Sequence, residues 1–398
     1  MLCKIAKRII TDTGPAATGR LVWTLGLKSL AGLLRHKART RRGENFPPVL
    51  FISVTNNCNL NCQGCWVSSD NGVQSMPADQ LDRIIRQAKR RGNCFFGILG
   101  GEPLMYAPLW DVLSEHRDCY FQVFTNGTLL NDRVARRMRE LGNVTPLVSI
   151  EGLAETSDTR RGGEEVYARS LEALDHCRRH RLLTGVATSI CKSNVAELAT
   201  ARFIKDMIRR GVHYLWYYIY RPVGPRPTPE LALSQSQITS LRRFTVEARS
   251  WAPILIIDAY WDHKGRAICP AAACASHHVN PWGDVEPCPP IQIAADRLNG
   301  DGRDTYDVMA KSKFLKDFRS LACRTTDGCI LMERPDLLRQ FAMESGARDS
   351  SGRGTALAEL ASTCARPSHC MDGEEIPETH WFYRLAKRCW FFGLGAYG

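Results

Sequence analysis

Three cysteines, Cys58, Cys62 and Cys65, follow directly on an apolar run, Val49-Leu50-Phe51-Ile52-Ser53-Val54. The run reads as a buried strand. The C-x3-C-x2-C spacing then puts three soft sulfur ligands on the loop that leaves it. Three thiolates from one loop suit three irons of a [4Fe–4S] cluster and leave one iron open for another ligand. The end of a first strand is also where α/β enzymes place their chemistry. Structural zinc is the rival reading, but it wants four ligands, usually as two separated pairs. A disulfide framework is the other. The chain has sixteen cysteines and no secretory-signal pattern, so the expectation is a reducing, cytoplasmic compartment in which clustered thiols bind metal.

Beyond this loop the chain alternates. Helical patterns are expected over 77–91, 131–141, 166–180 and 195–210, with Gly142 and Gly211 as stops after the second and fourth. Apolar runs lie between them, including 184–190 and 212–220, and 254–258 reads as one more strand. Alternation of this kind argues for parallel strands joined by crossover helices.

Three more strand ends carry motifs: Gly100-Gly101-Glu102-Pro103, Thr125-Asn126-Gly127-Thr128 and Ser149-Ile150-Glu151-Gly152. With the cysteine loop, in this order and spacing, they resemble the radical SAM superfamily. One departure stands out. That family usually has an aromatic residue just before the third cysteine, and here Gly64 fills the position with Trp66 just after. The resemblance implies an α/β fold, a partial (β/α)6 TIM-like barrel over 47–262. It implies S-adenosylmethionine on the open iron, reductive cleavage to a 5′-deoxyadenosyl radical, and hydrogen abstraction from a substrate. It further implies an electron donor such as flavodoxin or ferredoxin. By carry-over, Gly100, Gly101 and Glu102 hold the methionyl ammonium. Thr125, Asn126, Ser149 and Glu151 face the same site, and Arg160 or Arg161, with Arg161 preferred, pairs with the carboxylate through its bidentate fork. Residues 217–225 end another strand and are expected to line the cavity with tyrosines.

A second cysteine region spans 263–335. The run Val279 to Cys288 reads as a hairpin turning at Gly283-Asp284. With Cys269 ahead of it, this resembles the SPASM/twitch extension of radical SAM enzymes. The resemblance implies an auxiliary [4Fe–4S] cluster on Cys269, Cys288, Cys323 and Cys329. Buried core thiols are the alternative.

The ends differ in character. Residues 1–46 hold ten Lys/Arg against Asp12 and Glu44 in a chain whose formal net charge is +12. Trp23, Leu27, Leu30 and Leu34 recur at helical spacing from Arg20 to Arg35, widened by Val22 and Leu33, so an amphipathic helix of about four turns is expected. Its apolar face suits either the barrel or the surface of a membrane on its inner side. No apolar run is long enough to span one. Residues 336–398 form a helical, aromatic-rich tail, read either as a docked helix or as an interfacial surface. Asp258, Tyr260, Asp262, His263, His277 and His278 gather near the barrel's exit without an assigned role. Three functions remain open: an enzyme acting on a lipid or isoprenoid-like molecule, a peptide- or protein-modifying maturase, and a non-catalytic iron–sulfur protein. Nucleic-acid binding would need a basic face on the folded domain and is not expected.

Overall fold

The computed structural model describes residues 2–258, 261–298 and 302–389. Its centre is a run of parallel strands. β1 (Val49–Ser53), β2 (Phe95–Leu99), β3 (Tyr120–Thr125), β4 (Val144–Ser149), β5 (Gly185–Ile190), β6 (Tyr214–Ile219) and β7 (Leu255–Asp258) lie side by side in chain order. The sheet curls without closing, as a partial barrel. Leu50, Ile52, Phe96, Ile98, Phe121, Val123, Val148, Val186 and Leu215 pack in one core with apolar residues of the crossover helices. The alternate residues, Phe51, Phe124, Leu147, Ala187 and Trp216, form separate clusters on the other face, as a two-residue period requires.

Local sequence explains the helix limits. Asn131 Oδ1 accepts from Val134 N at 3.1 Å, and Gly142 ends the helix Asp132–Leu141 with φ of 69°. The helix expected over 195–210 is two pieces, Val195–Leu198 and Ala201–Arg209. Thr200 divides them: its side chain accepts from Phe203 N and starts the second piece as an N-cap.

The extension joins the same sheet. β8 (Ser276–Val279) runs parallel to β1, and β9 (Asp284–Glu286) returns antiparallel to β8. The expected hairpin is present, but its first strand lengthens the barrel wall. A buried polar chain pins it there. His278 Nε2 lies 2.8 Å from Ser53 Oγ on β1, and His278 Nδ1 lies 2.6 Å from Glu286 Oε2.

The open edge at β7 is covered from the C-terminal end. Tyr383 and Ala386 of the helix Trp381–Cys389 pack among Leu147, Ala187, Tyr214, Trp216 and Ile257. Ile256 N donates to Tyr383 Oη at 2.9 Å, which satisfies an edge backbone group. Beside it, Arg242, Arg249, Lys387, Asp258 and Glu378 form one buried ionic cluster. This part of the tail is a docked helix. The aromatic run 390–398 lies outside the described residues, as does Tyr260.

The leader is helical from Leu2 to Thr13 and again from Pro15 to Arg41, with π-helical turns over Val22–Lys28. It runs along the N-terminal ends of the strands. Arg20 Nη1 donates to Leu141 O at 2.7 Å, Arg39 Nη1 to Arg91 O at 2.5 Å, and Arg8 Nη2 to Ile208 O at 3.2 Å. Each acceptor lies at the C-terminal end of a barrel helix, where cations are favoured. The face toward the barrel is mixed: Thr24, His36 and Arg39 are buried there with Ile5, Leu21 and Leu33, so Leu33 leaves the expected stripe. The apolar stripe points outward: Val22, Trp23, Leu27 and Leu34 are each more than half exposed and Leu30 is 36% exposed.

Candidate active site

The cysteine loop is held closed by Asn56. Its Nδ2 donates to Ser68 O and Gly72 O, both at 3.0 Å, and its Oδ1 accepts from Gln74 N at 2.6 Å. The loop then leans on the C-terminal end of the helix Ala154–Arg161, which follows β4. Asn61 N and Gln63 N donate to Arg161 O and Arg160 O. Sequence reasoning passed over Asn56, although an Asx residue opening a loop is the available signal.

The G-G-E-P turn lies against the same loop. Gly101 N donates to Thr55 O and Glu102 N to Asn57 O, both at 2.8 Å. A Cβ at Gly101 would lie 2.2 Å from Asn57 O, so only glycine allows this approach. The glycines thus fit the turn to the cysteine loop.

A cavity of about 270 Å³ opens above the barrel. Cys58, Cys62 and Cys65 line it, with Gly100, Gly101, Thr125, Asn126, Ser149, Glu151 and Arg161. Phe51, Phe124, Tyr218 and Tyr220 supply aromatic wall. Glu102 stands behind that wall, fully buried. Its Oε1 accepts from Leu104 N at 3.1 Å and Thr125 Oγ1 at 2.8 Å, and its Oε2 from Asn126 N at 2.7 Å. Burial raises its pKa despite these bonds. In this structure Glu102 orders Thr125 and Asn126, which face the cavity. Tyr217 departs from expectation. It points away from the cavity and donates to Leu198 O at 3.0 Å.

The electrostatics centre on Arg161. Its Nη1 donates to Cys62 Sγ at 3.5 Å, and its Nη2 lies 3.6 Å from Glu151 Oε1. Burial opposes the charge, but the sulfur and the carboxylate outweigh it and raise the pKa. Arg160 also faces Glu151, at 3.7 Å, and stacks on the Tyr220 ring with its guanidinium carbon 4.6 Å from the centroid. Burial first, then the neighbouring sulfurs among other groups, push Cys58 up to about 11 and Cys65 to about 12. Metal binding must therefore displace their protons. Three thiols on one wall, with a guanidinium on one sulfur, fit a [4Fe–4S] cluster, which Cys58, Cys62 and Cys65 would hold.

A second wall carries Cys269, Cys288 and Cys329 around a smaller cavity of about 40 Å³. Burial, then the neighbouring Cys329 sulfur, raise Cys269 to about 11 and Cys288 well above its ordinary value. Cys323 is not on this wall. It is exposed near the end of the helix Lys313–Thr325, beyond the buried Phe314, Leu315, Phe318, Arg319 and Ala322. Cys274 and Cys370 are buried elsewhere and Cys364 is exposed. Asp258 belongs to the ionic cluster, Asp262 bonds the turn at Arg266, and His277 and His278 pack within the sheet.

Residues 52–204 match the family model of the radical SAM superfamily. Over this segment, a little over a third of its length, the chain is similar to that superfamily. Among curated relatives, Fe-coproporphyrin III synthase of Methanosarcina barkeri is 26% identical over 155 residues, 38% of this chain and 39% of the relative. The sporulation killing factor maturation protein SkfB of Bacillus subtilis is 24% identical over 37% of each chain. The chain spans 39% to 52% of the length of the first such relatives. Among solved structures, SuiB of Streptococcus suis bound to S-adenosylmethionine superposes with a TM-score of 0.61 at 18% identity, over 72% of this chain and 71% of SuiB. That likeness shows a shared fold reaching beyond the 52–204 segment.

Proposed function

We propose that this radical SAM protein is an enzyme that binds S-adenosylmethionine in the larger cavity and modifies a peptide. The observation that carries this reading is the convergence of the Cys58, Cys62 and Cys65 thiols, the Gly100-Gly101 turn and the Glu151–Arg161 pair on one wall. A [4Fe–4S] cluster with S-adenosylmethionine supplies, when bound, reductive S–C cleavage and a carbon radical that abstracts hydrogen. The chain's own part is to hold and to shield. Arg161 offers a fork to a carboxylate, Asn126 and Ser149 offer polar contacts to hydroxyls, and Phe51, Phe124 and Tyr218 keep water from the floor. A flavodoxin- or ferredoxin-type protein would deliver the electron.

A peptide is favoured over an isoprenoid by the wall itself. Arg160, Arg161, Arg221 and Arg226 all reach it, which suits an amide- and carboxylate-bearing substrate better than hydrocarbon. SkfB is by name a maturation protein, and SuiB has been solved with a precursor peptide. The test is anaerobic turnover with dithionite, read by chromatography as 5′-deoxyadenosine and by mass spectrometry of a short peptide encoded beside the gene. Iron-loaded protein that releases no 5′-deoxyadenosine would end the enzymatic reading. Turnover of a coproporphyrin in place of the peptide would end the peptide reading.

The outward apolar stripe supports a second element, peripheral contact with an anionic membrane. Trp23, Leu27 and Leu34 are exposed, and exposed Arg35 and Arg41 follow them on the same helical stretch. Full-length protein should sediment with anionic vesicles at low salt, and a Trp23→Glu/Leu27→Glu variant should not. Wild-type protein that stays in the supernatant would remove the membrane from this account. Among the described residues, no helix is long and apolar enough to cross one.

A further inference from the structure

Each cysteine trio has one arginine on one of its sulfurs. Arg161 serves Cys62, as described. On the second wall, Arg221 Nε donates to Cys329 Sγ at 3.3 Å. Arg221 follows β6 by two residues and lines both cavities, a property it shares with Pro290. It is therefore fixed by the barrel while it touches a ligand carried by the extension.

A hydrogen bond from a cation to a metal-bound thiolate draws negative charge off the centre. It stabilises the reduced form, which carries one more electron, over the oxidised form. The partly buried wall strengthens the effect, because water screens these sulfurs less there than on an open surface. We infer that Arg221 is a positioning residue for the second metal centre, held by Cys269, Cys288 and Cys329, and that it raises that centre's reduction potential. The inference rests on the reading of this trio as an iron–sulfur site. It concerns an electron-transfer property, since Arg221 reaches the centre through Cys329.

The test uses the full chain with Cys58→Ala, Cys62→Ala and Cys65→Ala, so that only the second centre remains. After anaerobic loading with iron and sulfide, a potentiometric titration followed by electron paramagnetic resonance gives its midpoint. Arg221→Gln and Arg221→Met should shift the midpoint to lower potential with iron content unchanged, and Arg221→Lys should fall between. Equal midpoints in all four proteins would overturn the inference, as would loss of iron in Arg221→Lys, which would make the residue a structural support. If the background chain with Arg221 intact holds no iron, the reading of the trio fails first and takes the inference with it.

Discussion

Tyr220 occupies the space that a side chain at position 64 would need: a Cβ on Gly64 would lie 2.1 Å from the Tyr220 hydroxyl oxygen. Gly64 also has φ of 68°, a conformation that strains any L-residue other than glycine. The aromatic ring that the cysteine loop lacks in sequence is thus present in space, supplied from the end of β6.

Gly64→Ala should therefore disturb the loop itself. Positive φ alone costs about 1 kcal/mol, and the clash with Tyr220 adds to it. Reconstituted Gly64→Ala should lose iron from the first site while Tyr220→Phe keeps it, as iron assays on the two proteins would show. Full iron in Gly64→Ala would mean that Tyr220 yields easily.

Glu102→Ala should destabilise the fold as well as weaken S-adenosylmethionine binding. It strands the buried donors Thr125 Oγ1 and Asn126 N, each at a cost of roughly 1–3 kcal/mol. Denaturant unfolding and calorimetric titration separate the two effects. Unchanged stability would show that water replaces the carboxylate.

The iron count discriminates between the cysteines. Wild-type protein should hold about eight irons as two [4Fe–4S] clusters. Cys329→Ala should lose about half, and so should Cys58→Ala/Cys62→Ala/Cys65→Ala. Cys323→Ala should lose none, because its sulfur faces solvent. Iron loss in Cys323→Ala would require the helix Lys313–Thr325 to turn inward.

The ionic cluster predicts a pH dependence. Burial brings Lys387 down to about 8, although Asp258 and Glu378 oppose the shift. With Lys387 charged, three cations face two carboxylates. Its deprotonation leaves Arg242 and Arg249 balanced by Asp258 and Glu378. Between about pH 8 and the ordinary lysine value near 10.4, the unfolded chain holds a proton that the native chain has released, so this group's contribution to stability rises with pH. The effect is on the order of 3 kcal/mol over the full window. Unfolding free energies at pH 7.5 and about 9.5 should diverge less in Lys387→Met than in wild type. An equal pH slope in both would show that Lys387 does not titrate there.

Much of the site is legible in sequence because it lies at strand ends. Strands that run parallel bring Cys58, Gly101, Thr125, Ser149 and Glu151 to one rim by register alone. Local rules place them without knowledge of packing. Spacing also tells metal-binding thiols from disulfides. Cys323 shows the limit of spacing: near the end of the helix Lys313–Thr325 its side chain is exposed, and sequence spacing does not report which end of a helix docks.

By itself, the sequence determined the alternation of strands and helices, the cysteine loop and the rim motifs, since each rests on contacts between near neighbours in the chain. Only the tertiary structure decided which way the leader faces, that Tyr220 stands over Gly64, that Glu102 lies behind the wall, and that Arg221 reaches Cys329. Those outcomes depend on contacts between distant segments. Periodicity reports that a helix has two faces, but which face docks depends on the partner surface. Here that surface includes helix-end carbonyls, so it takes Arg8, Arg20 and Arg39 beside Leu21 and Leu33 and leaves Trp23, Leu27 and Leu34 exposed.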